Sequence, residues 1–436
     1  MQWIYYLLVP FAISLCITPL VKHIAIKLGV YAEMNERTIH KKPMARIGGV
    51  AIYVAFLLGM TIFMKLDASL KGILLGGTIM FLSGLIDDMI DLKPKYKLMF
   101  QALAAIVVMQ VGSVYLGAIH LPFGISISMG IISYAITFVW LVGITNAVNL
   151  IDGLDGLAAG ISAIVLIVIA SLSVIDGRFD ICNLSLLLAG ATLGFLIFNT
   201  HPAKLFMGDC GALFLGFMIA SISLMGFKSS TFITLGLPIL MLGVPIFDTL
   251  AAIVRRKLSG HKFSDADKNH LHHVLMRRFG HRNTVLILYA VTALFGVVAY
   301  LYILNKPLGV IALIILALCV ELFMEFSHMI AEQYHPIISL LCLILHRDHI
   351  ADIKAPHLEA VKEHFDEPIT PEILIEEQNK RETIETIETI EAIDTMETAQ
   401  TKDNTDINDT TEIKKISDIN EEVKVVEHIE DLKKIK

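Results

Sequence analysis

Charge is scarce in this sequence. Lys, Arg, Asp and Glu make up 18% of the 436 residues, whereas 55% are hydrophobic. Soluble domains carry about 25% charged residues. The composition therefore excludes an ordinary soluble protein and predicts a membrane protein.

Two common sequence signals are also missing. The five cysteines show no CxxC spacing, and their odd number argues against a disulfide framework or a zinc knuckle. The N-terminal stretch MQWIYYLLVPFAISLCITPLVK has neither a basic start nor an A-x-A cleavage site. We therefore expect a retained membrane span rather than a signal peptide.

The net charge is divided unevenly along the chain. Residues 1–327 hold 23 Lys and Arg against 16 Asp and Glu, whereas residues 328–436 hold 12 against 26. The overall charge of −7 thus gives no indication of a nucleic-acid partner, and none is expected. From Pro356 the chain is acidic and repeats on a three-residue step, which matches no helical period. We predict three parts: a membrane domain (1–327), an interfacial segment too short to span (328–355), and an acidic low-complexity tail without a catalytic role (356–436).

Long apolar runs predict an all-α integral membrane protein. A span needs about 20 predominantly apolar residues. Eleven runs qualify: 2–21, 47–64, 70–90, 98–116, 129–150, 157–175, 181–199, 210–227, 231–254, 284–304 and 308–327.

The basic residues predict the orientation of these spans. With eleven spans the loops form two alternating sets, one with 18 Lys and Arg and the other with five. Loops rich in Lys and Arg face the cytoplasm. The N-terminus is therefore expected outside the cell and the tail inside.

The acidic residues of the membrane domain favour chemistry over transport. Only Asp67, Asp176 and Asp180 fall on the predicted outer side, and the other thirteen lie in cytoplasmic loops or near cytoplasmic span ends. A cation-coupled transporter, the alternative from another functional class, should carry ionisable groups near the bilayer midplane. A membrane scaffold that recruits partners through its tail is a second alternative.

The first acidic cluster, DDMID, ends the third predicted span. In a helix Asp87 and Asp88 would both neighbour Asp91, and the repulsion between them would be relieved by a divalent cation. An acidic helix end neutralised by the three lysines within 93–97 is the alternative.

A second cluster, NAVNLIDGLDG, follows the fifth span. Asn146, Asn149 and Asp152 step by three and share a helical face. The turn 152–156 then ends the helix, adds Asp155, and has glycines that allow a ligand to approach the backbone. A plain polar turn is the alternative.

Two further clusters carry ligand-type side chains. FMGDCG places Asp209 at the start of the eighth span, where it could bind metal or cap the helix. HLHH, containing His270, His272 and His273, could contact phosphate, bind zinc or lie on the surface. The basic stretch RTIHKKPMARIGG, which precedes the second span, is suited to an anionic lipid headgroup.

Together DDMID, NAVNLIDGLDGL, FMGDCGA, HLHH and HKKPMARIGG resemble the membrane polyprenyl-phosphate N-acetylhexosamine-1-phosphate transferases over residues 1–327. The resemblance favours the branch that makes lipid-linked GlcNAc. It implies transfer of GlcNAc 1-phosphate from UDP-GlcNAc to undecaprenyl phosphate with release of UMP, at the start of a teichoic-acid or O-antigen type of polymer. The sister branch, the phospho-N-acetylmuramoyl-pentapeptide transferases, remains the alternative.

The resemblance also implies roles for individual residues. The catalytic group would be Asp87, Asp88, Asp209, His272 and His273. The metal ligands would be Asp88, Asp209 and Asp152, with Asp87 accepting the proton of the lipid phosphate or aligning it. Substrate binding would fall to Arg46, Lys41, Asn146, Asn149, Asp152, Asp155, His270 and Asp248.

The same resemblance implies the cofactor, partners and location. Mg²⁺ is expected, with Mn²⁺ able to substitute. The partners would be the two substrates, the lipid bilayer and a second copy in a homodimer. The resemblance does not cover the tail, and its charge alone suggests that it recruits later enzymes of the pathway. We expect a multi-pass protein of the plasma (inner) membrane with a cytoplasmic active site.

Overall fold

The computed structural model describes residues 3–31, 44–120, 126–226 and 271–326. These residues form ten helices and one short β-hairpin. The helices are α1 (Trp3–Leu28), α2 (Gly49–Phe63), α3 (Ala68–Ile90), α4 (Pro94–Gln110), α5 (Ile132–Ile151), α6 (Leu157–Ile175), α7 (Phe179–Asn199), α8 (Gly208–Gly226), α9 (Leu271–Leu304) and α10 (Lys306–Phe326). The strands are β1 (Ala118–His120) and β2 (Ser126–Ser128), which pair antiparallel.

The helical class expected from the sequence is confirmed. Within the described residues, seven helices are long and apolar enough to cross a membrane: α1, α3 and α5–α9. Ten of the predicted spans fall in these residues, and each overlaps one helix. The remaining span, 231–254, lies outside the described residues, as does everything from 327 onward, including the interfacial segment and the tail. The protein is thus a polytopic membrane protein, and the total of eleven spans stays a prediction.

The sequence misplaced one helix and missed the hairpin. Helix α4 begins at Pro94, four residues before the predicted span, because proline suits the first position of a helix. It ends at Gln110 rather than at residue 116, and Ser113 then takes a positive φ of 52°. The hairpin occupies a stretch expected to be loop, where three-residue strands give too short a pattern to recognise.

Helix α8 forms the centre of the membrane domain. Almost all of it is buried, and it packs against α2, α3, α5 and α6. Glycines allow the close approach: a Cβ on Gly84 of α3 would overlap the backbone of Asp209 and Cys210, and one on Gly49 would overlap Gly211. Small residues at helix contacts are typical of packing in lipid, where apolar surface alone does not draw helices together.

A short stretch of backbone pairing joins the segment before α2 to the segment before α8. Phe206 N–H donates to the Ala45 carbonyl at 3.0 Å, Gly48 N–H to the Phe206 carbonyl at 2.9 Å, and Gly49 N–H to the Met207 carbonyl at 2.8 Å. Two sequence clusters that lie about 160 residues apart are thereby fixed side by side.

Candidate active site

Three carboxylates from two helices meet two basic side chains at one end of the helical core. Asp87 and Asp88 lie in the last turn of α3, and Asp209 lies in the first turn of α8. Arg46 reaches them from the chain before α2, and Lys97 from the first turn of α4. We call these five residues the carboxylate cluster.

Asp88 holds the start of α8. Its Oδ1 accepts the backbone N–H of Asp209 at 2.8 Å, and its Oδ2 accepts that of Cys210 at 3.0 Å. The first N–H groups of a helix have no partner within the helix. Asp88 therefore acts as the cap of α8 from a different helix, and its Oδ1 also lies 3.0 Å from Arg46 Nε. Gly208, with φ of 75°, leaves the space that this carboxylate occupies.

Asp209 points into the cluster instead of capping its own helix. Its Oδ2 accepts a hydrogen bond from Lys97 Nζ at 2.9 Å, and its Oδ1 accepts one from Asn149 Nδ2 at 3.1 Å. Arg46 Nη2 lies 3.6 Å from the same Oδ1. The helix-cap alternative for Asp209 thus has no support in the contacts of the described residues, since Asp88 fills that place.

Asp87 is buried and joined to Lys97. Its Oδ2 contacts Lys97 Nζ, and its Oδ1 accepts the backbone N–H of Leu92 at 2.7 Å. Helix α3 ends at Ile90, and Asp91 takes a left-handed conformation with φ of 52°. The backbone N–H of Asp91 still donates to the Asp87 carbonyl at 2.9 Å, so the predicted helical spacing of these two acids is present at the last turn of α3.

The charges of the carboxylate cluster shift the pKa values of two groups in the neighbouring connections, Arg46 and Asp152. Burial alone would lower the pKa of Arg46, but Asp88 and Asp209 outweigh it and raise the pKa, so the guanidinium stays charged. At Asp152, which directly follows α5, burial raises the pKa well above its usual range, and the charges of Asp209 and Asp88 raise it further.

Asn146 faces a different neighbour from Asn149. It exchanges two hydrogen bonds with Gln101 of α4, at 3.1 and 3.2 Å, and donates a third to the Val142 carbonyl at 2.9 Å. The predicted helical face of Asn146 and Asn149 exists, but only Asn149 contacts a carboxylate of the cluster. Asn146 joins α4 to α5.

Asp155 belongs to a second cluster. Its Oδ2 lies 2.8 Å from Nδ1 of His201 and accepts the backbone N–H of Ala203 at 3.1 Å. Its own backbone N–H donates to Nε2 of His281 at 3.1 Å. The turn 152–156 therefore carries one acid beside each cluster.

Several predicted residues cannot be compared with the structure. Lys41, Asp248 and His270 lie outside the described residues. The backbone of His272 and His273 lies in the first turn of α9, and their side chains are not among those described. Their roles stay predictions.

Sequence reasoning missed three residues that the structure brings to these clusters. Lys97 entered only as one of several counter-charges, and no local pattern separates it from Lys93 and Lys95. His201 and His281 are single histidines without a motif, and only the fold brings them together. A search for lone polar residues at span ends would have included all three.

The donor set of the carboxylate cluster fits a hard divalent cation. Lys97 Nζ lies between an oxygen of Asp87 and an oxygen of Asp209, which marks a point where two carboxylates converge on positive charge. Mg²⁺ is commonly bound by one or two carboxylates, with waters and substrate phosphates completing the shell. Asp87 and Asp209 meet that description better than Asp88, whose two oxygens already accept backbone N–H groups.

Comparison with known proteins adds an independent result. The family model described as glycosyl transferase family 4 matches residues 70–227, which run from α3 to α8. A Bacillus subtilis protein named probable undecaprenyl-phosphate N-acetylglucosaminyl 1-phosphate transferase is 40% identical over 330 residues, covering 74% of this chain and 91% of the relative. A decaprenyl-phosphate N-acetylglucosaminephosphotransferase of Mycolicibacterium smegmatis is 35% identical over 306 residues, covering 62% and 74%. An undecaprenyl-phosphate alpha-N-acetylglucosaminyl 1-phosphate transferase of Thermotoga maritima is 30% identical over 316 residues, covering 71% and 94%. Because the likeness covers 91% of the Bacillus subtilis relative at 40% identity and the family model spans both helices that carry the carboxylate cluster, the chain belongs to glycosyl transferase family 4.

Proposed function

We propose that this protein transfers N-acetylglucosamine 1-phosphate from UDP-GlcNAc to undecaprenyl phosphate and releases UMP. The observation that carries the proposal is the convergence of Asp87 and Asp209 on Lys97, with Arg46 and Asn149 in contact with Asp209. Carboxylates and fixed cations at the end of a membrane bundle suit a reaction between two phosphate-bearing substrates. The names of the relatives support the same substrates.

In the proposed reaction an oxygen of the lipid phosphate attacks the β-phosphorus of the sugar nucleotide. A new P–O bond forms, the bond between that phosphorus and the bridging oxygen breaks, and the bridging oxygen leaves with UMP. The product is a lipid diphosphate that carries the sugar. Phosphoryl transfer depends mainly on positioning and on neutralising charge, which is what Arg46 and Lys97 are suited to provide.

Mg²⁺, with Mn²⁺ as a substitute, is the cofactor we propose. Asp87 and Asp209 would hold it, with Asn149 orienting Asp209. The sequence also assigned Asp88 and Asp152 to the metal, but both oxygens of Asp88 accept backbone N–H groups. When bound, the ion neutralises charge that develops on the diphosphate. A phosphate monoester has a second pKa near 6, so the lipid phosphate is mostly dianionic at neutral pH and Asp87 need not act as a strong base.

Arg46 is the proposed contact for the lipid phosphate. It is charged, partly exposed and held at the carboxylate cluster through Asp88. A guanidinium offers a fork of donors that matches phosphate oxygens. Lys41 would assist from the same basic stretch, and His270, His272 and His273 would contact the diphosphate or the sugar.

The remaining features of the proposal concern the cellular setting. Eleven spans with the N-terminus outside would place the carboxylate cluster on the cytoplasmic face of the plasma membrane, where UDP-sugars are found. The product would start a teichoic-acid or O-antigen type of polymer. The acidic tail would recruit later enzymes of that pathway, and the membrane domain would form a homodimer.

The test is an assay of UMP release by the purified full-length chain in nanodiscs with undecaprenyl phosphate and Mg²⁺. Separate reactions contain UDP-GlcNAc, UDP-GalNAc or UDP-MurNAc-pentapeptide. We expect UMP release with UDP-GlcNAc, together with a lipid product that carries one sugar and two phosphates. Release with UDP-MurNAc-pentapeptide alone would assign the chain to the sister branch.

A transport assay tests the alternative that the protein is a cation-coupled transporter. Proteoliposomes loaded with radiolabelled UDP-GlcNAc are incubated with and without a cation gradient. A transferase leaves the intact nucleotide inside. Gradient-driven release of the intact nucleotide, without UMP formation, would contradict the proposal.

A further inference from the structure

The second cluster joins three segments that are distant in the sequence. Asp155 lies in the turn after α5, His201 follows α7, and His281 directly follows the non-helical Gly280 within α9. The two imidazole rings stack with centroids 4.1 Å apart and planes inclined by 25°. One nitrogen from each histidine and one oxygen of Asp155 all lie within 4.8 Å of one another.

These distances are close to those of a metal site. Zinc bonds to imidazole nitrogen and carboxylate oxygen are about 2.0–2.2 Å long, which in a tetrahedron separates neighbouring ligand atoms by roughly 3.3–3.5 Å. The pair His201 Nδ1 and Asp155 Oδ2 is already closer, at 2.8 Å. Side-chain shifts of about 1 Å would bring the three residues to coordinating distances, and the metal would replace the hydrogen bonds that His201 Nδ1 and His281 Nε2 make with Asp155.

The surrounding bonds hold Asp155 in place for such a role. Ala203 N–H donates to the same carboxylate oxygen that faces His201. Asn199, which is buried, accepts the Gly156 N–H at 3.1 Å and donates to the Leu205 carbonyl at 3.0 Å, while the Tyr289 hydroxyl donates to the Gly156 carbonyl. Carboxylates that bind metals are commonly fixed by hydrogen bonds of this kind.

The donor set selects a different ion from the carboxylate cluster. Two imidazoles and one carboxylate suit Zn²⁺ and related transition ions, whereas Mg²⁺ prefers oxygen ligands. The Asp155 side chain is 6% exposed and that of His201 is 32% exposed, which leaves a path for an ion from the His201 side.

We propose that Asp155, His201 and His281 form a Zn²⁺-type binding site, separate from the proposed Mg²⁺ site, that ties α9 to the connections after α5 and α7. Three protein ligands leave a fourth position for water. The bound ion acts as a cross-link between segments that hydrogen bonds and ring stacking already hold together. Because the sequence analysis also assigns Asp155 to substrate binding, metal binding is measured without substrates, so that the test does not depend on the transferase reaction.

The test uses Co²⁺ as a spectroscopic probe of zinc sites. The full-length chain in nanodiscs is stripped with a chelator, freed of chelator and of Mg²⁺, and titrated with Co²⁺. We expect a visible absorption band typical of tetrahedral Co²⁺, saturating at one ion per chain and abolished by Zn²⁺. His201→Gln and His281→Gln should each weaken Co²⁺ binding at least tenfold.

Three matched variants control for other histidines. His23→Gln changes an exposed histidine on α1 and should leave the titration unaltered. His272→Gln and His273→Gln should also leave it unaltered. A band that is lost in these two and kept in His201→Gln and His281→Gln would overturn the proposal, as would the absence of any band in the parent.

A second measurement needs no variant and so does not depend on variants folding. X-ray absorption at the zinc edge of the parent, loaded with one equivalent of Zn²⁺, should show scattering from two imidazole rings and one further protein oxygen. Zinc should also raise the thermal midpoint of the parent. A spectrum without imidazole scattering would overturn the proposal.

Discussion

Asp88 accepts the backbone N–H of Asp209 at 2.8 Å, so that one acid of the cluster fixes the position of another. The two residues come from different helices and are 121 positions apart. Asp88 therefore contributes through the placement of α8, while Asp209 directs its carboxylate toward the cations of the cluster. This division of roles gives the two acids different expected phenotypes.

Asp88→Asn should destabilise the protein as well as reduce activity. An amide offers one acceptor oxygen where the carboxylate offers two, so one of the two N–H groups at the start of α8 loses its partner. Loss of a helix cap or of a hydrogen bond to a charged group costs about 1–3 kcal/mol. We expect a lower thermal midpoint of the purified protein in detergent. The control is Asp180→Asn, which changes an exposed acid paired with Arg178. An unchanged midpoint for Asp88→Asn would contradict the capping role.

Asp209→Asn should leave the fold intact and stop turnover. The amide keeps the volume of the side chain, and the start of α8 is held by Asp88 and not by Asp209. If Asp209 binds the metal, losing a contact of about 3–4 kcal/mol lowers the rate several hundredfold. UMP release is compared at equal thermal stability with Asp176→Asn, a substitution on the predicted outer side that should have no effect. Near-normal UMP release by Asp209→Asn would show that Asp209 does not bind the metal.

Gly84→Ala should impair the enzyme by moving a helix rather than by removing a functional group. The added Cβ would overlap the backbone of Asp209 and Cys210, so α3 and α8 must separate. Displacing Asp209 from Asp87 by about 1 Å can cost on the order of a hundredfold in rate. The matched control is Gly143→Ala on α5, where nothing lies within 4 Å of the new atom. Both variants are assayed for UMP release and thermal midpoint, and equal behaviour of the two would refute the packing argument.

Lys97 should compete with the divalent cation for the same two carboxylates. A chelator is expected to stop UMP release by the parent, and added Mg²⁺ is expected to restore it. Like charges about 4 Å apart repel by about 4 kcal/mol at an effective dielectric constant of 20. Lys97→Met should therefore reduce the Mg²⁺ concentration for half-maximal activity by about tenfold or more, even if the maximal rate falls.

The control for this titration is Lys95→Met. Lys95 is two residues away and lies over the ring of Tyr96, with no ion pair to the described carboxylates. Its Mg²⁺ dependence should match that of the parent. Full activity of the parent in excess chelator would end the metal proposal.

Removal of residues 356–436 should leave the reaction intact. The sequence clusters all end by His273, and the family match lies within residues 70–227. UMP release by the shortened chain is expected at the parental rate per mole of folded protein. Loss of release from a stably folded truncation would assign the tail a role in catalysis.

The sequence predicted the helical class, the family and the main acids, because each depends on a local pattern. Apolar runs identify spans, and a pair of acids such as Asp87 and Asp88 at a span end is conspicuous where charge is costly. The partners of those acids could not be predicted in the same way. Lys97 is one of three neighbouring lysines and His281 is a single histidine, and their contacts with Asp209 and Asp155 depend on how helices pack across more than a hundred residues of sequence.

The sequence also could not predict that two acids of one motif lie beside different clusters. Asp152 and Asp155 are three residues apart, and the sequence assigned both to substrate binding. In the structure Asp155 contacts His201 and Ala203, whereas Asp152 is affected by the charges of Asp209 and Asp88, because α5 ends at Ile151 and both acids lie in the turn that follows. A helical spacing rule cannot describe a turn whose shape depends on Asn199 and Tyr289.

The backbone pairing of residues 45–49 with 206–207 fixes the spacing of two chain segments that contribute to the carboxylate cluster. The separation between the backbones at Arg46 and Asp209 is set by main-chain hydrogen bonds, which side-chain rotation cannot alter. A one-residue insertion between Arg46 and Gly48 would shift the register and carry the guanidinium out of reach. The length of this segment is therefore constrained, and so are Gly48 and Gly49, where an added Cβ would overlap the backbone of Phe206 and Gly211.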